Sequence, residues 1–230
     1  MEKNSTLRSP RTLLAVLVAI AIVVAALLVV LSQLGGTGGG SAKNVGEFYS
    51  GIPQNGTALG KSNAPVTLYL YEDFQCPFCG RFDREMFPDL VDDYVRDGKA
   101  KLISKTMVFL GPDSVTAARA ALAAGEQNHY WPYYSLLYAH QEAENSGYVT
   151  DDFLRGLAEK TPGLDMGKWE DQRAGNSFTK ELEDVQSTAQ ASGVNSTPTL
   201  IFKGPGGQTK IDRLTSYDQI SSAVDRVDGS

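Results

Sequence analysis

Two cysteines stand in a chain of 230 residues, Cys76 and Cys79, with only Pro77 and Phe78 between them. Upstream, Pro65-Val-Thr-Leu-Tyr-Leu-Tyr71 is β-branched and aromatic, the composition of a buried strand. Downstream, Phe82, Met86, Phe87, Leu90, Val91, Tyr94 and Val95 recur at helical spacing, and Gly98 follows as a stop. Cys76 therefore falls at a strand-to-helix junction. Free N–H groups and the helix dipole there favour a thiolate, which makes Cys76 the expected nucleophile. Cys79, one turn further in, is placed to attack a mixed disulfide formed at Cys76 and release the partner, so it is the expected resolving residue.

Two other uses of the pair fit less well. A structural bridge closing a four-residue loop stabilises by about 1.9 kcal/mol in the chain-entropy picture, against about 3 for a 15-residue loop. A zinc site needs two further ligands, and the chain has only His129 and His140, neither at ligand spacing from the cysteines. No metal and no cofactor is expected.

The N-terminal part bears on location. Leu13 to Leu31 is an unbroken run of Leu, Val, Ala and Ile. As a helix it is roughly 28 Å long, close to the ~30 Å hydrocarbon core of a bilayer. The apolar core of a cleaved signal peptide is usually about 7 to 15 residues, so an uncleaved anchor over 13–31 is expected; Gly40 and Ala42 keep cleavage as an alternative. Lys3, Arg8 and Arg11 precede the run and no Lys or Arg follows until Lys43, which keeps residues 1–12 cytoplasmic and the remainder outside the membrane. Residues 32–45 are glycine-rich, the composition of a flexible tether. Taking Lys3, Arg8, Arg11 and Glu2 from totals of 21 basic and 27 acidic residues leaves 18 and 26, about minus 8 by formal count. A surface of that sign lacks the basic footprint of nucleic-acid binding.

In the C-terminal part, Gly193-Val-Asn-Ser-Thr-Pro-Thr199 places Thr197 and Pro198 directly before an apolar strand, Thr199 to Phe202. A turn at Gly204 to Gly207, a short strand near Thr209 to Arg213 and an amphipathic helix with Tyr217, Ile220, Val224 and Val227 follow. Cys79 and Pro198 lie 119 residues apart, and the intervening segment reads as helices over Asp113 to Glu126, Trp131 to Gln141, a stretch capped by Thr150, and Ser177 to Ala191.

Taken together, Tyr71-Glu-Asp-Phe-Gln-Cys-Pro-Phe-Cys-Gly80 and the Thr197-Pro198 loop resemble the thioredoxin superfamily, and its DsbA-like branch in particular. The resemblance implies an α/β thioredoxin-like fold interrupted by a helical domain: a first part over 46–110, the insertion over 111–192 and a second part over 193–230. It implies a cis Thr197–Pro198 bond beside the cysteines, with Pro77 and Phe78 tuning the redox pair. It also implies an oxidoreductase that introduces disulfides into reduced or unfolded exported proteins and is reoxidised by a quinone-linked membrane partner. Two positions depart from the family pattern. Phe78 stands where strongly oxidising members carry histidine, which points to a Cys76 pKa between about 3.5 and about 7 and a milder oxidant. Leu70, six residues before Cys76, stands where many relatives carry a buried glutamate; neither Glu72 nor Asp73 is assigned that role, so the proton acceptor for Cys79 stays open.

Rival readings are a reductase or isomerase kept reduced by a membrane electron donor, and a non-catalytic chaperone using the aromatic group Tyr130, Trp131, Tyr133, Tyr134 and Tyr138. Packing is the more ordinary use of such rings. Glu142, Glu144, Asp151 and Asp152 read as a solvated helix end and loop rather than as a calcium site.

Overall fold

Alternating Val66, Leu68 and Leu70 place one apolar edge of a strand against the main core, and that strand becomes central to a six-stranded sheet. The computed structural model describes residues 45–229. The N-terminal segment 1–12, the expected anchor over 13–31 and the linker as far as residue 44 lie outside the described residues. Among the described residues no helix is long and apolar enough to cross a membrane.

The strands are β1 (Gln54–Asn55), β2 (Ala58–Leu59), β3 (Val66–Glu72), β4 (Ala100–Thr106), β5 (Thr199–Gly204) and β6 (Gly207–Ile211), in the order β1-β2-β4-β3-β5-β6. β3 and β4 run parallel, and every other pairing is antiparallel. Register carries the functional consequence. Tyr71 near the end of β3 pairs with Thr199 at the start of β5, so Pro198 and Thr197 arrive beside the segment that leaves β3 toward Cys76.

Short helix α1 (Val45–Phe48) precedes the sheet. α2 (Pro77–Glu85) and α3 (Phe87–Leu90) lead into a π-helical turn, Val91–Val95. One continuous helix through these apolar positions was the expectation; the backbone instead breaks at Met86, with φ −130° and ψ −28°. Pro88 explains it, because proline has no N–H to return to the preceding turn and its ring crowds the carbonyl there. The apolar spacing survives the break, and Phe82, Phe87, Leu90, Val91 and Val95 are all buried.

Between β4 and β5 lie α4 (Pro112–Gly125), α5 (Tyr130–Ala139), α6 (Asp151–Glu159), α7 (Met166–Arg173) and α8 (Thr179–Ala191). Thr150 caps α6, its side chain accepting from the Phe153 N–H at 3.2 Å. α7 carries too little apolar pattern to be expected from sequence: Trp169 is its one buried residue, and the indole N–H donates to the Ala120 carbonyl at 2.8 Å. The tight β1–β2 hairpin is likewise too short to leave a periodic signal. After β6, α9 (Tyr217–Asp228) begins with a Ser216/Gln219 capping box and ends on Gly229 at φ +75°, a left-handed cap that glycine adopts without strain.

Leu68, Leu70, Leu102, Leu200 and Phe202 meet Phe82, Phe87, the rings of α5 and Ile220 and Val224 of α9 in one core, while Tyr71, Met107 and Ile201 on the other face are covered by Val185 and Ala189 of α8. Each such side chain contributes roughly 1.5–3 kcal/mol by leaving water. α5 is apolar around its whole circumference, as a helix buried on all sides must be. Tyr130, Trp131, Tyr133, Tyr134 and Tyr138 are all 1% exposed or less, so they pack as the core of the insertion, the more ordinary use expected of them, and the rival chaperone groove is not formed by these rings.

Candidate active site

Cys76 is the N-cap of α2, and Pro77 takes the first helical position, where a missing N–H costs no hydrogen bond. Both cysteines are free thiols in this structure, and both are buried. The Cys76 thiol donates to the Thr197 carbonyl at 3.4 Å, and the Thr197–Pro198 bond is cis. Thus Cys76, the expected nucleophile, meets the proline loop, which lies 119 residues downstream of Cys79 in the chain.

The two sulfurs sit in opposite electrostatic environments. The Cys76 pKa is lowered from 9.0 to about 6, first by a hydrogen bond from Cys79, then by the Thr197 side chain and the N–H groups of Cys79 and Phe78, which together outweigh burial. Burial pushes Cys79 well above the ordinary thiol value, and the neighbouring Cys76 sulfur and the Glu72 carboxyl push it further. At neutral pH the pair therefore holds a thiolate at Cys76 and a thiol at Cys79. Phe78 contributes through its main-chain N–H, while its ring is 61% exposed with the Arg81 guanidinium 5.7 Å from its centroid.

Sequence alone assigns Glu72 no role, and its position in the fold sets it near the pair. It lies two residues along β3 from Leu70, and with a strand period of two it points to the same face. It is 1% exposed and accepts from the Tyr134 hydroxyl at 2.8 Å and the Tyr138 hydroxyl at 3.4 Å. Burial raises its pKa well above the ordinary carboxylate value, against the two tyrosine hydroxyls, which lower it. The Asp73 N–H favours the Cys79 thiolate while the charge of Glu72 disfavours it, so both groups lie near enough to the Cys79 sulfur to act on it. The period of two is the signal by which Glu72 was findable; the tyrosines come from the insertion, which local sequence does not bring to β3.

Asp73 is the organiser of the junction. Its Oδ1 accepts from the Gln75 N–H at 2.9 Å and the Ser114 hydroxyl at 2.6 Å, and its Oδ2 from the N–H groups of Phe109 and Leu110 at 3.1 and 3.2 Å. Its carbonyl accepts from the Cys76 N–H at 2.9 Å. Asp73→Asn turns one acceptor into an NH2 group that faces donors, so it should cost about 2–4 kcal/mol, read as a lower urea midpoint. A midpoint unchanged from wild type would show that these bonds contribute nothing net.

No local pattern in the sequence marks Asp83. It lies one turn beyond Cys79 on the buried side of α2, and burial raises its pKa from 3.8 to about 8, opposed only by Arg84. Among the loop acids, Asp151 is occupied by an ion pair with Arg173 at 2.8 Å.

A family model described as thioredoxin matches residues 53–226. A probable disulfide bond formation protein D of Bacillus cereus is 26% identical over 172 residues, 74% of this chain and 77% of that protein. In fold, oxidised BdbD from Bacillus subtilis superposes with a TM-score of 0.67 at 24% identity, covering 76% of this chain and 96% of the other. DsbA from Chlamydia trachomatis gives 0.65 at 24% identity, over 74% and 90%. With this match over most of its length and this paired-thiol geometry, the chain belongs to the thioredoxin family, as a DsbA-like thiol-disulfide oxidoreductase.

Proposed function

We propose that this protein donates the Cys76–Cys79 disulfide to reduced exported proteins. The observation that carries the proposal is the asymmetry of the pair: a Cys76 thiol lowered to about 6 beside a Cys79 thiol that is buried and raised. A dithiol with one acidic member is stabilised in its reduced form, which makes its disulfide a better oxidant.

In each turnover a substrate thiolate attacks Cys76 Sγ, the Cys76–Cys79 bond breaks, and its electron pair leaves on Cys79. A buried Cys79 thiolate is unfavourable and takes a proton, and we assign its source to Glu72, the buried carboxyl whose charge acts on Cys79. A second substrate thiolate then attacks the substrate sulfur of the mixed disulfide, and Cys76 leaves as its stable thiolate. Two electrons have passed from two substrate thiols to the pair. Return to the disulfide requires an electron acceptor, and we assign this to a quinone-linked membrane partner by family likeness.

The apolar run over 13–31, with Lys3, Arg8 and Arg11 before it, supports a single-pass membrane anchor that keeps the N-terminus cytoplasmic and the catalytic domain outside. A tethered oxidase of this kind samples exported chains as they emerge.

Equilibration of residues 45–229 with glutathione is expected to give a potential between those of thioredoxin and DsbA, about −270 and −120 mV. In intact cells an impermeant thiol reagent should find the pair oxidised. A potential at or below that of thioredoxin, with the pair reduced in cells, would replace the oxidase reading with the reductase or isomerase one.

A further inference from the structure

The turn that carries Cys76 is held from outside the thioredoxin part by a side chain that no step of the exchange uses. Gln141 follows α5, where the insertion returns over the junction. Its side-chain NH2 donates to the Phe74 carbonyl at 2.9 Å and to the Cys76 carbonyl at 3.0 Å. The Cys76 carbonyl also accepts the first bond of α2, from the Gly80 N–H at 3.2 Å. The clasp is reciprocal. Gln75, 1% exposed, sends its amide the other way, donating to the Tyr148 hydroxyl at 3.0 Å and accepting from the Asn145 N–H at 3.0 Å.

Steric fit points to the same contact. Gly80 has an ordinary backbone conformation, so no turn demands glycine, yet a Cβ there would lie 2.1 Å from Gln141 Oε1. Glycine in a helix interior costs roughly 0.5–1 kcal/mol relative to alanine. Its presence one residue after Cys79 makes room for the Gln141 amide.

We infer that Gln141 is a positioning residue for the redox pair: the helical insertion, through this amide, fixes the first turn of α2 so that the N–H groups of Phe78 and Cys79 stay aimed at the Cys76 sulfur. A thiolate at an N-cap depends on those donors, and a turn free to shift delivers them less well. The inference rests on Cys76 being the reacting thiol.

The test is Gln141→Ala, Gly80→Ala and the double variant, each followed by ultraviolet thiolate absorbance against pH and by glutathione equilibration. Gln141→Ala should raise the Cys76 pKa by about half to one unit and lower the equilibrium constant for reduction by glutathione about threefold to sixfold at pH 7. Gly80→Ala, which displaces the amide while favouring the helix, should give the same shift. The double variant should match Gln141→Ala alone, because the displaced group is already gone. A residue that only packs would change the melting temperature and leave pKa and potential where they are, and that outcome overturns the inference. So does an additive double variant. A wild-type Cys76 that titrates as an ordinary thiol would instead overturn the reading of the site itself.

Discussion

Cys76→Ser should reduce thiol-disulfide exchange to the uncatalysed background, and Cys79→Ser should leave attack intact while trapping the protein on its substrates. The difference follows from which sulfur is ionised. Cys76, lowered to about 6, supplies a thiolate at neutral pH, and no other sulfur in the chain replaces it, since Cys79 is buried with its pKa raised and there are two cysteines in all. In Cys79→Ser the Cys76 thiolate still attacks a substrate disulfide, but the resulting mixed disulfide meets a hydroxyl where the resolving thiol stood. Non-reducing electrophoresis of each variant with a disulfide-containing protein should show cross-linked species for Cys79→Ser and none for Cys76→Ser. Trapping by Cys76→Ser instead would reverse the two roles.

What the sequence makes legible is what short-range pattern encodes. The β-branched run before Cys76, the apolar spacing after it and the Thr-Pro dipeptide before a strand are local signals, and each marks an element that the structure contains. Residues gathered from distant segments are not written that way. Glu72 has its partners Tyr134 and Tyr138 more than sixty positions on, and Gln141 meets Phe74 and Cys76 only because α5 returns over the junction. α7 failed to register for a different reason: a helix with one buried residue carries no apolar stripe. The break at Met86 was legible in principle from Pro88, but the continuous apolar spacing across it outweighed the proline in a reading based on period.

These long-range contacts also say why the insertion belongs to the enzyme's chemistry as well as to its shape. Two hydroxyls of α5 hydrogen-bond the buried acid, and one amide just beyond α5 fixes the nucleophile's turn. A minimal thioredoxin core has neither. The chain thus keeps the strand, the CxxC helix and the proline loop, and takes from the added helices the groups that set proton and thiolate positions.

The unfolding free energy should fall by several kcal/mol as pH rises from about 4 to about 8, and Asp83→Asn should remove the share of that dependence that Asp83 contributes. Asp83 has its folded pKa raised from 3.8 to about 8, so between those values the unfolded chain carries the charge while the folded one keeps the proton. The folded state then binds more protons than the unfolded state, and stability is lost with rising pH at up to about 1.4 kcal/mol per unit for one group. Over some four units this approaches about 5 kcal/mol, an upper bound because a buried site relaxes when it ionises. The groups around it do not cancel the effect. Arg84 lowers the Asp83 pKa but is outweighed by burial, while Glu72 of β3, Tyr49 after α1 and Tyr134 of α5 all have raised values that include repulsion from Asp83. Glu72 adds a loss of the same sign. Cys76 acts in the opposite direction, since its folded pKa is depressed, so the measurement belongs on the oxidised protein, where neither thiol titrates. Urea unfolding of wild type and Asp83→Asn across this range should show the variant gaining on wild type steadily with pH. A difference that stays constant would mean that Asp83 is already ionised in the fold at pH 4, with Arg84 holding its charge after all.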